Sequence, residues 1–243
     1  MNENTFFDYL NLFWFTILPY VALFTFFIAT IQRYRGEAFT YSSLSSQFLE
    51  NKVHFWAMVP FHYGILTVLF GHLIGFLCPA ELLAWNSEPI RLYIFEVTGF
   101  IAAIFTLVGL FNIIIRRTSN ARIKMVTTTA DWVVIAIIVF QVITGVYTAV
   151  FHSWGSSWFA SSMAPYLWSI VQFSPEIAYV TPLPIMVKLH IISAFVIVTL
   201  FPFTRLVHVL VVPNPYLWRK PQVVRWYWNR KKIRTTSFKI DRK

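Results

Sequence analysis

The residues of this 243-residue chain best suited to chemistry are its histidines, because four of the six lie inside long apolar stretches. His62 and His72 lie in the second stretch, and His190 and His208 lie in the fifth. An ionisable side chain is costly inside a membrane and is therefore a functional candidate. Because neutral imidazole is a common metal ligand, two histidines on each of two segments indicate metal binding rather than packing alone.

The spacing of these histidines predicts how they pair. The 18 residues from His190 to His208 make five turns of a continuous helix, so both imidazoles would point the same way about 27 Å apart. If the two helices are antiparallel, His72 and His190 lie at the same depth in the membrane to within about 6 Å, and so do His62 and His208. If His72 were paired with His208 and His62 with His190 instead, the depths would differ by about 20 Å. Two stacked pairs are what two haems with two axial histidines each require, and such haems suit electron transfer.

Spacing alone leaves one ligand open. His54 precedes His72 by 18 residues, the same step that separates the two histidines of the fifth stretch. The ten residues from His62 to His72 instead turn the helix about 80° away from the original face. Depth favours His62, because His54 lies beside Lys52 at the expected water interface.

Other uses of these histidines are less well supported. A zinc site would need three or four ligands at one depth, often including cysteine, and the chain has one cysteine. A transporter that relays protons through histidines and a passive membrane anchor are the alternatives from other functional classes. The sixth histidine, His152, ends the fourth stretch and is expected to be exposed.

The elements that must position the histidines are transmembrane helices. The chain is 57% hydrophobic and 12% charged, with a mean hydropathy of +0.61, and a spanning helix needs about 20 apolar residues. Five stretches meet this requirement, at about 6–31, 54–78, 93–115, 132–151 and 185–212. The sequence therefore predicts an all-α integral membrane protein, a five-helix bundle over 1–224 followed by a basic tail over 225–243. Its internal prolines (Pro19, Pro60 and Pro202) are expected to kink the helices rather than end them.

Lysine and arginine predict the orientation. Eighteen of the twenty lie on one side of the predicted membrane, which places the N-terminus outside and the C-terminus in the cytoplasm. The net charge of +10 therefore indicates membrane anchoring rather than nucleic-acid binding. Docking of a soluble partner is a second interpretation of the basic tail. Arg116, Arg117 and Arg205 are candidate partners for haem propionates, although surface anchoring explains them equally. Asp131 is expected to be an N-terminal helix charge rather than a proton carrier.

Several segments around the histidines carry a family resemblance. They are 61–62 (FH), 71–75 (GHLIG), 127–131 (TTTAD), 188–190 (KLH) and 201–208 (FPFTRLVH), together with 45–49 (SSQFL). These segments resemble the gamma subunit of respiratory nitrate reductase, a di-haem cytochrome b, and the similarity extends from residue 6 to about 224.

This resemblance implies that His72 and His190 hold an outer haem b and that His62 and His208 hold an inner one, which would resolve the choice in favour of His62. It further implies oxidation of quinol from the membrane pool beside the outer haem. Electrons would pass to an iron–sulfur (beta) subunit and a molybdenum catalytic (alpha) subunit on the cytoplasmic side of the cell membrane.

One position departs from the family. Arg91 stands where the family has a lysine near the quinol pocket, so it is a candidate for the quinol site, and the alternative is a loop charge that pairs with Glu88. The same haem arrangement could also serve another partner or the reverse direction, as in a nitrite oxidoreductase or a heterodisulfide- or sulfite-reductase type complex.

Overall fold

The computed structural model describes residues 3–36 and 52–210. The predicted domain boundary at 224, the basic tail over 225–243 and the family segment over 45–49 lie outside the described residues. Within them the chain is helical and contains no strand. The α-helices are α1 (Glu3–Leu12), α2 (Leu18–Gly36), α3 (Lys52–Leu77), α4 (Pro79–Asn86), α5 (Pro89–Ser119), α6 (Ala121–Met125), α7 (Thr129–Phe151), α8 (Gly155–Trp158), α9 (Ala164–Val171) and α10 (Ile185–Leu200).

Shorter helices of other types join these elements. Two π-helical segments, Phe13–Ile17 and Phe159–Met163, continue α1 into α2 and α8 into α9. Three 3₁₀ segments, Ile177–Tyr179, Phe201–Phe203 and Arg205–Val209, lie before and after α10.

Five helical segments of the described chain are long and apolar enough to cross a membrane. They are Phe6–Gly36, Val53–Leu77, Pro89–Ser119, Thr129–Phe151 and Ile185–Phe203. At most 28% of the residues in the most apolar part of each are buried within the protein, so most of their apolar side chains face outward, as a lipid-facing surface requires. The predictions that the chain is all-α and that five of its helices are long and apolar enough to span a membrane are therefore confirmed for the described residues. The orientation of the termini stays a prediction.

The fifth segment differs from its prediction. The sequence predicted one helix over 185–212, but α10 ends at Leu200, and Thr204 is extended with φ −124° and ψ 178°. Pro202 cannot donate a backbone hydrogen bond, and its ring crowds the preceding turn. It therefore ends the regular helix rather than kinking it. As a result His208 lies on the separate 3₁₀ segment Arg205–Val209.

Pro60, by contrast, lies inside an unbroken α3. Its missing N–H leaves the carbonyl four residues earlier, on Trp56, without a helical donor. The side chain of Asn112, on α5, donates Nδ2–H to that Trp56 carbonyl at 3.2 Å. The neighbouring helix thus supplies the hydrogen bond that proline removes, which is how membrane helices tolerate proline.

Close packing between α3 and α5 also depends on small residues. A Cβ on Gly64 would lie 2.5 Å from the Ala102 carbonyl oxygen, and one on Gly109 would lie 2.5 Å from the backbone nitrogen of Phe61. Glycine at both positions lets the two backbones approach closely, as at many membrane helix interfaces. α10 packs chiefly on α7 and α2, and α7 also packs on α5. The helix of His62 and His72 and the helix of His190 are therefore held by different neighbours.

The short helices α4, α8 and α9 between the spans were not predicted, because none is long enough to cross a membrane. The π-helical segment before α2 is tied to α9 by Tyr166, whose hydroxyl donates to the Phe15 carbonyl at 2.7 Å. Burial raises the pKa of Tyr166 above its ordinary value, so the hydroxyl stays protonated and remains a donor.

The Pro60 arrangement yields a stability prediction. Asn112→Leu should lower the free energy of unfolding by about 1 kcal/mol, because it leaves the Trp56 carbonyl unpaired. In a Pro60→Ala background the helix regains its own donor, so the same substitution should cost much less. Unfolding in mixed micelles measures this double-mutant cycle, and equal losses in the two backgrounds would contradict the assignment.

Candidate functional site

Two pairs of histidines face each other across the bundle. The imidazole of His72, on α3, and that of His190, on α10, have ring centres 6.3 Å apart and planes inclined by 35°. The imidazole of His62, on α3, and that of His208, on the segment Arg205–Val209, have ring centres 6.2 Å apart and planes inclined by 74°. These are the pairs that depth predicted. His54 is half-buried near the start of α3, and the ring that faces His208 is His62.

All four rings are oriented by hydrogen bonds to backbone carbonyls. Nδ1 of His62 lies 2.8 Å from the Met58 oxygen, and Nδ1 of His72 lies 2.8 Å from the Val68 oxygen. The corresponding distances are 3.0 Å from His190 to the Gln141 oxygen and 2.7 Å from His208 to the Arg205 oxygen. Because a carbonyl only accepts, each Nδ1 carries the proton. Each Nε2 is therefore the nitrogen able to bind a metal.

The separation of the rings fits one metal ion between each pair. Two metal–nitrogen bonds of about 2 Å, each to an Nε2, place the centres of two opposed imidazoles about 6 Å apart. No group of three or more histidine, cysteine or carboxylate ligands occurs among residues 3–36 and 52–210. Each pair thus offers two imidazole nitrogens, and any further ligands to a metal would have to come from a bound group such as a porphyrin.

His190 is enclosed by polar groups of α7. Its Nδ1 also lies 3.0 Å from Thr144 Oγ1, and its Nε2 lies 3.2 Å from Gln141 Nε2. Ser193 donates its hydroxyl to Gln141 Oε1. A Cβ on Gly145 would lie 2.9 Å from the ring carbon Cε1 of His190, so glycine at this position allows the imidazole to pack directly on α7.

Aromatic rings border the α3 histidines. The Phe159 ring lies edge-on to His72 with centres 5.2 Å apart, and the Phe61 ring lies edge-on to His62 at the same distance. Phe159 also limits the space beside Gly75, one turn further along α3. Apolar edges around both imidazoles lower the local polarity, which is one means by which a protein tunes a bound metal.

Asp131 links three segments beside His208. It takes part in a capping box at the start of α7, where the Thr128 amide donates to Asp131 Oδ2 at 2.9 Å. Its carboxylate also contacts Arg117 at 3.4 Å and Arg205 Nε at 2.6 Å. The prediction of a helix N-terminal charge is confirmed. Arg117 and Arg205, proposed from the sequence as propionate partners, both contact this carboxylate.

Arg91 lies in the first turns of α5 rather than in a loop. Its guanidinium lies over the ring of Trp85, 5.3 Å from the ring centre, and Trp85 Nε1 donates to the Arg91 carbonyl at 3.3 Å. The contact that orients Arg91 is therefore a cation–π interaction, and the structure shows no ion pair between Arg91 and Glu88.

His152 is half-buried with its ring 6.2 Å from that of Tyr147, so the prediction that it is exposed was wrong.

Sequence reasoning did not single out Gln141, Thr144 or Gly145, which surround His190. A signal was available, because Gln141 is a polar residue in the middle of the most apolar span and such residues are functional candidates. What the sequence lacked was the register that brings α7 beside α10.

Known proteins match this chain over most of its length. The family model described as nitrate reductase gamma subunit matches residues 11–227. The chain is 34% identical over 226 residues to the respiratory nitrate reductase 2 gamma chain of Escherichia coli (strain K12), covering 90% of this chain and 98% of that one. It is 32% identical over 213 residues to the nitrate reductase gamma chain of Bacillus subtilis (strain 168), covering 86% and 95%. The family resemblance is thereby confirmed, and the chain belongs to the nitrate reductase gamma subunit family.

Proposed function

We propose that this chain oxidises quinol in the membrane and delivers the electrons, through two haems b, to the other subunits of a respiratory nitrate reductase. His72 and His190 would hold one haem, and His62 and His208 the other. The observation that carries the proposal is the presence of two imidazole pairs in which every Nδ1–H bonds a backbone carbonyl, so that Nε2 is the nitrogen with a lone pair for a metal.

The residues fit a haem better than any other metal group. A haem held by these histidines would supply one-electron transfer. The chain contributes the orientation of the imidazoles, the tautomer that exposes Nε2, and apolar rings at the edges of His62 and His72. Hydrogen bonds from Nδ1–H also make the opposite nitrogen a stronger ligand.

A proton relay through the same histidines is disfavoured by the same bonds. A relay needs both ring nitrogens to face groups that exchange protons. In His62, His72 and His208 Nδ1 instead donates to a backbone carbonyl, which cannot pass a proton onward. In His190 Nδ1 donates to the Gln141 carbonyl and also lies beside the Thr144 hydroxyl. The hydrogen bonding therefore supports metal ligation over transport.

For the quinol site, the candidate region is the end of the bundle that carries His72. Leu82 of α4 packs beside Gly75, one turn after His72, and Trp85 of the same helix holds the exposed guanidinium of Arg91. A cation fixed over an aromatic ring at this end could contact an oxygen of a quinol headgroup. This supports Arg91 as a quinol-site residue without assigning it a catalytic step.

The proposed orientation follows from charge. The His72–His190 end would face outward, and the His62–His208 end would face the cytoplasm together with most of the Lys and Arg residues. The iron–sulfur and molybdenum subunits would then dock on the cytoplasmic side. The membrane potential makes this geometry useful, because quinol protons released outside and electrons moved inward both add to it.

Single substitutions of the histidines test the proposal. Purified wild-type protein should show the Soret and α bands of two b-type haems, and quinol should reduce both. Alanine at His72 or His190 should remove one haem, and alanine at His62 or His208 should remove the other. Pyridine haemochrome assays would measure a fall from two haems per chain towards one.

His54→Ala is the matched control on α3, and it should retain both haems. Loss of haem in His54→Ala but not in His62→Ala would overturn the choice of ligand. Wild-type protein without Soret absorbance would overturn the proposed function itself.

Gly145 provides a second prediction. In Gly145→Ala the new methyl group would lie 2.9 Å from the His190 ring, so the imidazole must shift. The midpoint potential and EPR signal of the haem at His72–His190 should change, whereas those of the other haem should not. Gly99→Ala is the control, because nothing lies within 4 Å of its added Cβ; equal spectra for the two variants would contradict the packing argument.

The orientation can be tested with reporters. Green fluorescent protein fused after Lys243 should fluoresce, and alkaline phosphatase fused there should be inactive, because the C-terminus is proposed to be cytoplasmic. An active phosphatase fusion would reverse the proposed sides and with them the docking face for the partner subunits.

A further inference from the structure

We propose that Asp131 is a positioning residue for His208 and acts through Arg205. This inference rests on the proposed function, in which His208 binds a haem. It assigns a role in holding one axial ligand to a carboxylate that does not itself contact the ligand.

His208 needs a positioning residue because the regular helix α10 ends before it. His190 lies on this regular helix, but His208 lies on a five-residue 3₁₀ segment that follows an extended residue, Thr204. Thr204 caps this segment, because its hydroxyl accepts from the Leu206 amide at 3.4 Å. A short 3₁₀ segment is weakly stabilised by its own hydrogen bonds, so contacts with other elements must set its place.

Arg205 supplies those contacts. Its guanidinium bonds Asp131 Oδ1 at 2.6 Å through Nε and the Val126 carbonyl at 3.2 Å through Nη2. The carbonyl of the same residue accepts from His208 Nδ1 at 2.7 Å. The group that orients the imidazole therefore belongs to the residue that is anchored to the start of α7, and a shift of Arg205 would move the acceptor of the His208 hydrogen bond.

Asp131 is itself held firmly in place. It is 6% exposed, and its second oxygen, Oδ2, accepts from the Thr128 amide at 2.9 Å and lies 3.4 Å from Arg117. The carboxylate thus joins α5, the start of α7 and the segment of His208. Removal of its charge would leave the guanidinium groups of Arg117 and Arg205 without the anion that both contact, and the two like charges would then repel each other.

The competing explanation is that Asp131 only caps α7. Two substitutions separate the roles. Asp131→Asn can still accept from the Thr128 amide, so it keeps this part of the cap but loses the charge that holds Arg205. Thr128→Val loses the hydroxyl that accepts from the Asp131 amide at 3.3 Å, so it weakens the cap but keeps the contact between Asp131 and Arg205.

The test compares these variants in the assembled, membrane-bound enzyme by redox titration and EPR. The low-spin EPR signal of a haem with two axial imidazoles depends on the angle between their planes, which is 74° for His62 and His208. Asp131→Asn should shift the potential and the EPR signal of this haem, or lower its content at least two-fold, and leave the haem at His72–His190 unchanged. Arg205→Gln should act in the same way, whereas Thr128→Val should lower only the melting temperature.

The outcomes are distinguishable from those of the proposed function. The unchanged signal of the His72–His190 haem shows that a variant has folded, and Asp8→Asn, an exposed carboxylate on α1, is the control for loss of a charge. Wild-type spectra of the His62–His208 haem in both Asp131→Asn and Arg205→Gln would overturn this inference and leave the proposed function intact. An equal spectral shift in Thr128→Val would also overturn it, because capping alone would then suffice. Wild-type enzyme that lacks this haem would overturn both.

Discussion

The hydrogen bond from each imidazole Nδ1–H to a backbone carbonyl is the interaction on which the site depends. Without it an imidazole in an apolar bundle could turn, change tautomer or present either nitrogen. With it, the four rings are oriented by the backbone, and in each the same atom, Nε2, is left with a lone pair for a metal. The carbonyl belongs to the same helical turn for His62, His72 and His208, whereas for His190 it belongs to a different helix, α7.

These bonds use carbonyls of helical backbone, whose oxygens have two lone pairs and can accept a second hydrogen bond. At His62 and His72 the ring nitrogen lies near the oxygen of the residue four positions earlier, which also has its place in the helical hydrogen-bond pattern, so that oxygen is shared. At His208 the carbonyl comes from a 3₁₀ segment beyond the end of α10. The break at Pro202 therefore places this irregular backbone, and with it His208, beyond the regular helix α10. Membrane proteins tolerate such backbone only where it is enclosed by protein, and here Arg205, Asp131 and Arg33, which donates to the Pro202 carbonyl, enclose it.

The pairing of the histidines shows how a prediction can be correct although one of its premises is wrong. Depth in the membrane placed His72 with His190 and His62 with His208, and the ring separations agree. The supporting argument of five continuous turns between His190 and His208 was wrong, because α10 ends at Leu200. The break also explains why a step of ten residues from His62 to His72 is compatible with the pairing. Because His208 does not lie on α10, its direction is not tied to that of His190. Its partner on α3 therefore need not lie on the same helix face as His72.

Hydrophobicity, charge and the positions of the histidines were enough to determine five apolar helices, two levels of paired imidazoles and the family, because these follow from counts and from rise per residue along single helices. The sequence by itself could not determine which residues enclose the imidazoles. Gly145 and Gln141 lie beside His190 only because of the register between α7 and α10. Likewise, Asp131 meets Arg205 only because the chain turns at Thr204. Such contacts join segments tens of residues apart, and local patterns carry no information about their relative rotation. Only the tertiary structure decided them.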